Sequence, residues 1–293
     1  MTASESDLAA LATRRRWLRM GASARILFSR PTSALGITLV ALFIILAIFA
    51  PWIAPYAPTD QISGAARLAP SSEYWFGTDR LGRDVYSRVI WGARDVLGLA
   101  GAGTLAAVAL GTLAGLFSAY RGGLIEEITF RLFDSLLAMP ALLLALLLLG
   151  TVGPSRNSVF IVIVVVYMPI VARVVRSVVL SVKTRGFVEA ARTQGESTMH
   201  ILFREILPSV LPALAVEGAL RFSYAIFLVA SLGFLGVGVQ PPNPNWGLMI
   251  SEARTYVTLT PWALYFPVAA ISLLVIGVNL MADGLKRALQ VSG

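Results

Sequence analysis

Six apolar stretches recur along this chain, at 33–53, 96–118, 132–150, 158–180, 211–238 and 262–282, separated by glycine, proline or charged clusters. About 20 apolar residues carry a helix across a bilayer, so each stretch is a candidate crossing. With 57% hydrophobic and 14% charged residues in 293, the chain holds more apolar surface than one soluble core needs and has no room for a large soluble domain. The expected fold class is an all-α polytopic membrane protein with six transmembrane helices. The run from Ser33 to Ile53 is too long for a signal-peptide core and reads as a retained first span.

Charge sets the expected direction. The formal net charge of +8 reads as loop charge against a cytoplasmic leaflet, not as a nucleic-acid surface. If Arg14, Arg15, Arg16, Arg19, Arg25 and Arg30 lie inside, the inside segments hold sixteen Lys and Arg and the outside segments seven, which puts both termini in the cytoplasm by the positive-inside rule. The expected organisation is a basic cytoplasmic segment (1–32), a first transmembrane helix (33–56), an extracytoplasmic elbow (57–95), a core with five further helices (96–285) and a cytoplasmic tail (286–293). Interleaved Asp60, Glu73, Asp79 and Asp84 keep the elbow near neutral, and an amphipathic helix along the membrane surface is expected there.

Several chemistries are excluded. The absence of cysteine removes disulfides and thiol chemistry, and one histidine, His200, cannot build a multi-histidine metal site. No phosphate-binding G-x-x-x-x-G-K-[ST] motif occurs. Gly101 to Ala106 matches a dinucleotide fingerprint in letters, but it lies inside an apolar run with no strand before it. Those glycines, with Gly111 and Gly115, instead offer a small-residue face for close helix packing. No cofactor or metal is expected on this chain, and bond chemistry has no credible constellation.

The segment 182–210 is the most informative. Phe187 to Gln194 predicts a short helix, Gly195 a sharp turn, and Ser197 to Leu207 a second amphipathic helix stopped by Pro208 and Pro212. Met199, Ile201, Leu202 and Phe203 would then seek a partner surface. This Glu189-Ala190-Ala191, Gly195, Ile206-Leu207-Pro208 pattern resembles the EAA loop of ATP-binding-cassette (ABC) importer permeases. Phe76 to Asp84 with Ser87, Arg88, Gly92 and Arg94, then Gly233 to Pro242 with Trp246-Gly247 and Ser251 to Arg254, and finally Asn279 to Leu285 are similar to the C-type permease of dipeptide, oligopeptide and nickel importers. The likeness covers about 33–290.

The resemblance implies the ABC type I importer permease fold in a bacterial inner membrane. It implies a homologous second permease, two cytoplasmic ATPases that hold ATP and Mg, an extracytoplasmic substrate-binding protein and surrounding lipid as partners. Glu189, Ala190, Ala191, Gly195, Met199, Phe203, Leu207 and Pro208 would couple to the ATPase. Peptide is the leading cargo, with nickel chelates, glutathione or other small solutes as alternatives.

Other residues carry two readings each. Asp79, Arg80, Arg83 and Asp84 can pin the elbow to itself or to a neighbouring subunit, while Gln240 and Trp246, the latter as an interfacial aromatic anchor, sit in a loop suited to the delivery protein. Glu217 and Arg221, at i and i+4 in the fifth span, form either an internal ion pair or a polar lining of the path. Val229 stands where the family often carries an acidic residue. An ion-coupled secondary transporter is the rival class, and it would show inverted repeats and mid-depth ion sites.

Overall fold

A computed structural model describes residues 30–291, so residues 1–29 of the basic segment and the last two of the tail lie outside the described residues. The first span is helix α1 (Pro31–Ile53), opened by a proline whose missing N–H has no partner to lose in a first turn. The elbow that follows is turns and one isolated bridge between Thr78 and Asp84, and no surface helix forms in it. It is also shorter than expected. The Asp84 carboxylate accepts from the Ser87 amide at 2.8 Å and starts α2 (Val85–Arg121) eleven residues before the apolar run begins. Hydropathy placed the boundary where the charges stop, but Arg88 and Asp95 sit inside the helix because other segments neutralise them there.

Helix α2, at 37 residues, runs for about 55 Å. Its main partner is α5 (Arg156–Val182), and the seam is the small-residue face seen in the sequence. Gly103, Ala107, Gly111 and Gly115 recur every fourth residue. A Cβ placed at Gly103 would lie 2.7 Å from Ile163 Cγ2, and one at Gly111 would lie 2.7 Å from the Met168 carbonyl oxygen. The two backbones therefore pack in direct contact, as small residues allow in an apolar medium.

The third expected span, 132–150, is not continuous. It is divided into α3 (Gly123–Leu137) and α4 (Ala141–Val152), bent by 93°. Pro140 forces the break, because it lacks an N–H and pushes Met139 out of helical conformation. Charge holds α3 in its direction: Glu126 pairs with Arg176 at 2.6 Å and Asp134 with Arg173 at 2.5 Å, both arginines on α5. Five continuous helices and this broken pair make up the six candidate crossings.

After α5 comes the short α6 (Gly186–Thr193), then α7 (Thr198–Phe234). Here the expected stop at Pro208 and Pro212 does not occur, and the second hairpin helix runs straight into the fifth span. A π-helical turn at Ile201–Ile206 precedes Pro208, and its wider register absorbs the missing proline donor without ending the helix. Beyond α7, the short α8 (Trp246–Ala253) leads to α9 (Pro261–Val291), which packs against α1 and α7. The expected tail from 286 is helical through Val291 as an extension of α9.

Candidate functional site

At one end of the bundle, α6 and the start of α7 form a hairpin. Gly195 has φ +78° and closes α6 as a Schellman cap: its N–H donates to the Arg192 carbonyl and the Glu196 N–H to that of Ala191. Ser197 then caps α7 by accepting from the His200 amide at 3.2 Å. His200 is half-buried, its Nδ1 3.3 Å from Glu196.

The hairpin has two faces. Val188, Ile201, Leu202 and Ile206 are buried with Leu116 of α2 and Val179 and Val182 of α5. Lys183 Nζ donates to the Ala119 carbonyl at 3.0 Å, and the Arg192 guanidinium lies 4.9 Å from the Tyr120 ring centroid. The hairpin is thus welded to the ends of α2 and α5. Of the four residues expected to seek a partner, Ile201 and Leu202 have found one inside the chain, because the helix turns them toward this seam. Phe187, Met199 and Phe203 face outward at 41%, 57% and 40% exposure, alongside exposed Glu189, Ala190, Gly195 and Pro208. The Glu189 carboxylate has no partner among the described residues. Ala191 is buried, and half-buried Leu207 packs on the inner cluster, so both act on the hairpin's inner side.

Halfway along α7, Glu217 Oε1 lies 2.7 Å from Arg221 Nε. Arg221 also lies over the rings of Tyr224 at 4.8 Å and Tyr167 at 5.8 Å. It lines a cavity of about 360 Å³ with Ala141 and Leu142, the first residues of α4 after the break. A second cavity of about 400 Å³ shares Leu142, Phe227 and Ser231 with it and continues to Ile250 and Ser272. Val229 is buried in the chain's own core instead of lining this surface.

At the other end of α2, the elbow is clamped by a charge cluster. Arg83 Nε meets Asp79 Oδ2 at 2.6 Å, its Nη2 meets Glu252 Oε2 at 2.5 Å, and Arg88 Nη1 bonds Asp79 at 2.5 Å and Glu252 at 3.2 Å. Asp79, Arg83 and Arg88 are all buried, and their ion pairs join the elbow to α2 and α8 of the same chain. Arg80 stays exposed with Arg67, both over the Tyr256 ring. Gln240 is exposed and donates to the carbonyls of Gly236 and Gly238 in its own loop. Trp246 does not sit at an interface as its place in the loop suggested. It is 0% exposed, its Nε1 donates to the Val89 carbonyl at 2.9 Å, and its ring lies against Gly92 and edge-on to Phe43. It anchors α8 to α2, not the protein to a membrane interface. Among the described residues, no group of three or more His, Asp or Glu side chains could hold a metal ion.

Residues 107–291 match the family described as the inner membrane component of binding-protein-dependent transport systems, and residues 20–70 match the N-terminal transmembrane domain of oligopeptide transport permease C. The chain belongs to this permease family. It is 40% identical to a dipeptide transport system permease of Alkalihalophilus pseudofirmus, over 87% of this chain and 84% of the relative. It is 38% identical to a di/tripeptide transport system permease of Pseudomonas aeruginosa, over 90% and 89%, and 40% identical to a glutathione transport system permease of Escherichia coli, over 86% and 83%.

The fold of this permease is similar to that of a chain from the inward-facing MetNI methionine ABC transporter, with a TM-score of 0.56 at 19% identity, covering 69% of this chain and 96% of that one. The fold is therefore that of a type I importer permease in a multi-pass inner-membrane protein. The permease is one half of an importer, a non-catalytic subunit without a nucleotide site of its own, and membership implies an ATPase, a binding protein and a second permease as partners. Sequence reasoning missed two groups of residues in it. Arg88 and Glu252 appeared only as letters of a likeness, because nothing local pairs residues 164 apart. Asp95, bonded to Arg156 at 2.7 Å and to Asn245 at 3.1 Å, was assigned to a loop; an aspartate just before an apolar run was the one available signal.

Proposed function

We propose that this permease lines half of the path of an importer for di- or oligopeptides, with both termini cytoplasmic, and that the hairpin from Gly186 to Ile206 docks on the ATPase. The observation that carries this reading is the hairpin's two-faced packing. Its inner side is continuous with the core of α2 and α5 and its second helix is α7 itself, while Phe187, Glu189, Met199 and Phe203 are left outward. A surface that moved the hairpin would move α5 and α7 as rigid levers, because packed helices shift between discrete arrangements instead of deforming. Both levers border the cavity lined by Arg221. Closure of the ATPase pair on ATP then switches the two permeases between inward-open and outward-open states.

Peptide cargo is supported by the two peptide-system relatives, and glutathione, itself a tripeptide-like solute, by a relative of equal identity. The test is ATP-driven uptake of labelled dialanine and of glutathione into liposomes holding the complete importer and its binding protein. Dialanine uptake that needs ATP and disappears in Gly195→Trp supports the proposal. ATP-independent uptake sinks it, and transport of glutathione alone moves the cargo to the second reading.

A further inference from the structure

We infer that the cavity at the α3–α4 break is a binding site for the carboxylate of a transported solute, and that Arg221 is the residue that takes it. The inference deepens the proposed function and rests on this surface lining the path. A guanidinium halfway along a membrane-spanning helix is costly unless it is paired or faces a cavity, and Arg221 lies beside Glu217 and borders one. Its Nε is buried 2.7 Å from Glu217 Oε1, at ion-pair distance but without a hydrogen bond between them, and Glu217 does not line the cavity, whereas Arg221 does. A guanidinium carries five N–H donors. The two terminal nitrogens of Arg221 have no hydrogen-bond acceptor among the described residues. That edge is the one that receives a carboxylate through two parallel bonds.

The surroundings fit the same ligand. The guanidinium lies over the Tyr224 ring at 4.8 Å and the Tyr167 ring at 5.8 Å, contacts that restrict it before a ligand arrives. Because Glu217 already balances Arg221, an incoming carboxylate adds net negative charge. The first turn of α4, which has no side-chain cap and whose Ala141 and Leu142 border the same space, supplies partial positive charge against it. The rest of the lining carries no further charge and is mostly apolar, with Ile170, Phe227 and Leu228 beside the single hydroxyl of Ser231 and the two tyrosines. Such a wall accepts varied side chains while the carboxylate is fixed. The volume of about 360 Å³ lies within the usual range for small-molecule sites.

The chain has no cysteine, which permits a direct test on the complete importer in nanodiscs without ATP. Ile170→Cys, in the same lining, is reacted with anionic sulfonatoethyl methanethiosulfonate and with the cationic trimethylammonioethyl reagent, each rate being referred to free cysteine. The sulfonate stands in for a carboxylate. The expected result is a preference of about tenfold for the anionic reagent, falling to near one in Arg221→Gln and reduced but still present in Arg221→Lys, which keeps the charge and loses the two parallel bonds. A preference unchanged by Arg221→Gln overturns the inference. So does no reaction with either reagent while exposed Ser72→Cys is labelled in the same preparation. Should Arg221→Gln fail to assemble, the unaltered Arg221 protein is tested by protection: N-acetylalanine should slow labelling at position 170 and N-acetylalaninamide should not, and equal effects overturn the inference. These readings use neither uptake nor hydrolysis, so a failure of peptide transport leaves them standing and identifies the cargo proposal as the part at fault.

Discussion

Arg83 reaches Glu252 across 169 residues of sequence, with a guanidinium nitrogen 2.5 Å from a carboxylate oxygen. Through that contact the elbow and α8 become one cap over the start of α2, where Arg88 and Asp79 complete the cluster. Burying Asp79, Arg83 and Arg88 around half-buried Glu252 is tolerable because each charge faces an opposite one, and removing one partner leaves the others uncompensated.

Glu252→Gln should therefore destabilise the permease by about 3 kcal/mol, seen as a lowered thermal midpoint in detergent. Combining it with Arg88→Met should recover part of the loss, since the stranded cation is then gone. Strict additivity of the two changes would show that the cluster is not coupled.

Gly195 has φ +78° with nothing within 4 Å of a Cβ built on it. A substitution there meets no clash, and its cost is purely backbone strain, about 1–2 kcal/mol for an ordinary residue. Gly195→Val is expected to lower ATP-driven uptake at least about tenfold with normal membrane insertion, while Gly195→Asn, which tolerates this conformation, should keep most of it. Equal uptake by both variants would remove the turn from the coupling route.

Trp246 should act as a packing residue and not as a docking one. Trp246→Ala empties a fully buried site and is expected to cost about 3–5 kcal/mol; Trp246→Phe keeps most of the volume and loses the bond to Val89, about 1 kcal/mol. Affinity for the delivery protein, measured on the Phe variant, should not change.

Gly111→Leu should separate α2 from α5, because even its first carbon would fall 2.7 Å from the Met168 carbonyl oxygen and 2.9 Å from Val171 Cβ. Overpacking of this kind costs about 1–3 kcal/mol. Gly150→Leu, with nothing within 4 Å, is the matched control and should leave the thermal midpoint near that of the unaltered protein.

Orientation is open to a simple measurement. Ser72 lies exposed on the elbow, and the hairpin lies at the far end of α2. Ser72→Cys should react with a membrane-impermeant reagent in intact spheroplasts, whereas labelling only after lysis would invert the proposed topology.

The sequence by itself determined the all-α membrane class, the number of apolar stretches, the hairpin with its glycine turn, and the small-residue seam on α2. These are local or periodic properties: apolar length sets a crossing, a glycine permits one backbone conformation, and every-fourth small residues mark one helix face. It misjudged what depends on partners distant in the chain. Helix α2 begins at Val85 because Arg88 and Asp95 find Glu252, Arg156 and Asn245, and α7 passes through Pro208 because a π turn and the α2–α5 core support it. The 93° break at Pro140 was legible as a proline but not as a bend, since its direction is set by the ion pairs from α3 to Arg173 and Arg176. Tertiary structure alone decided that Trp246 is buried and that Arg221 borders a cavity, because burial and neighbouring space are properties of several segments meeting, and no single segment contains them.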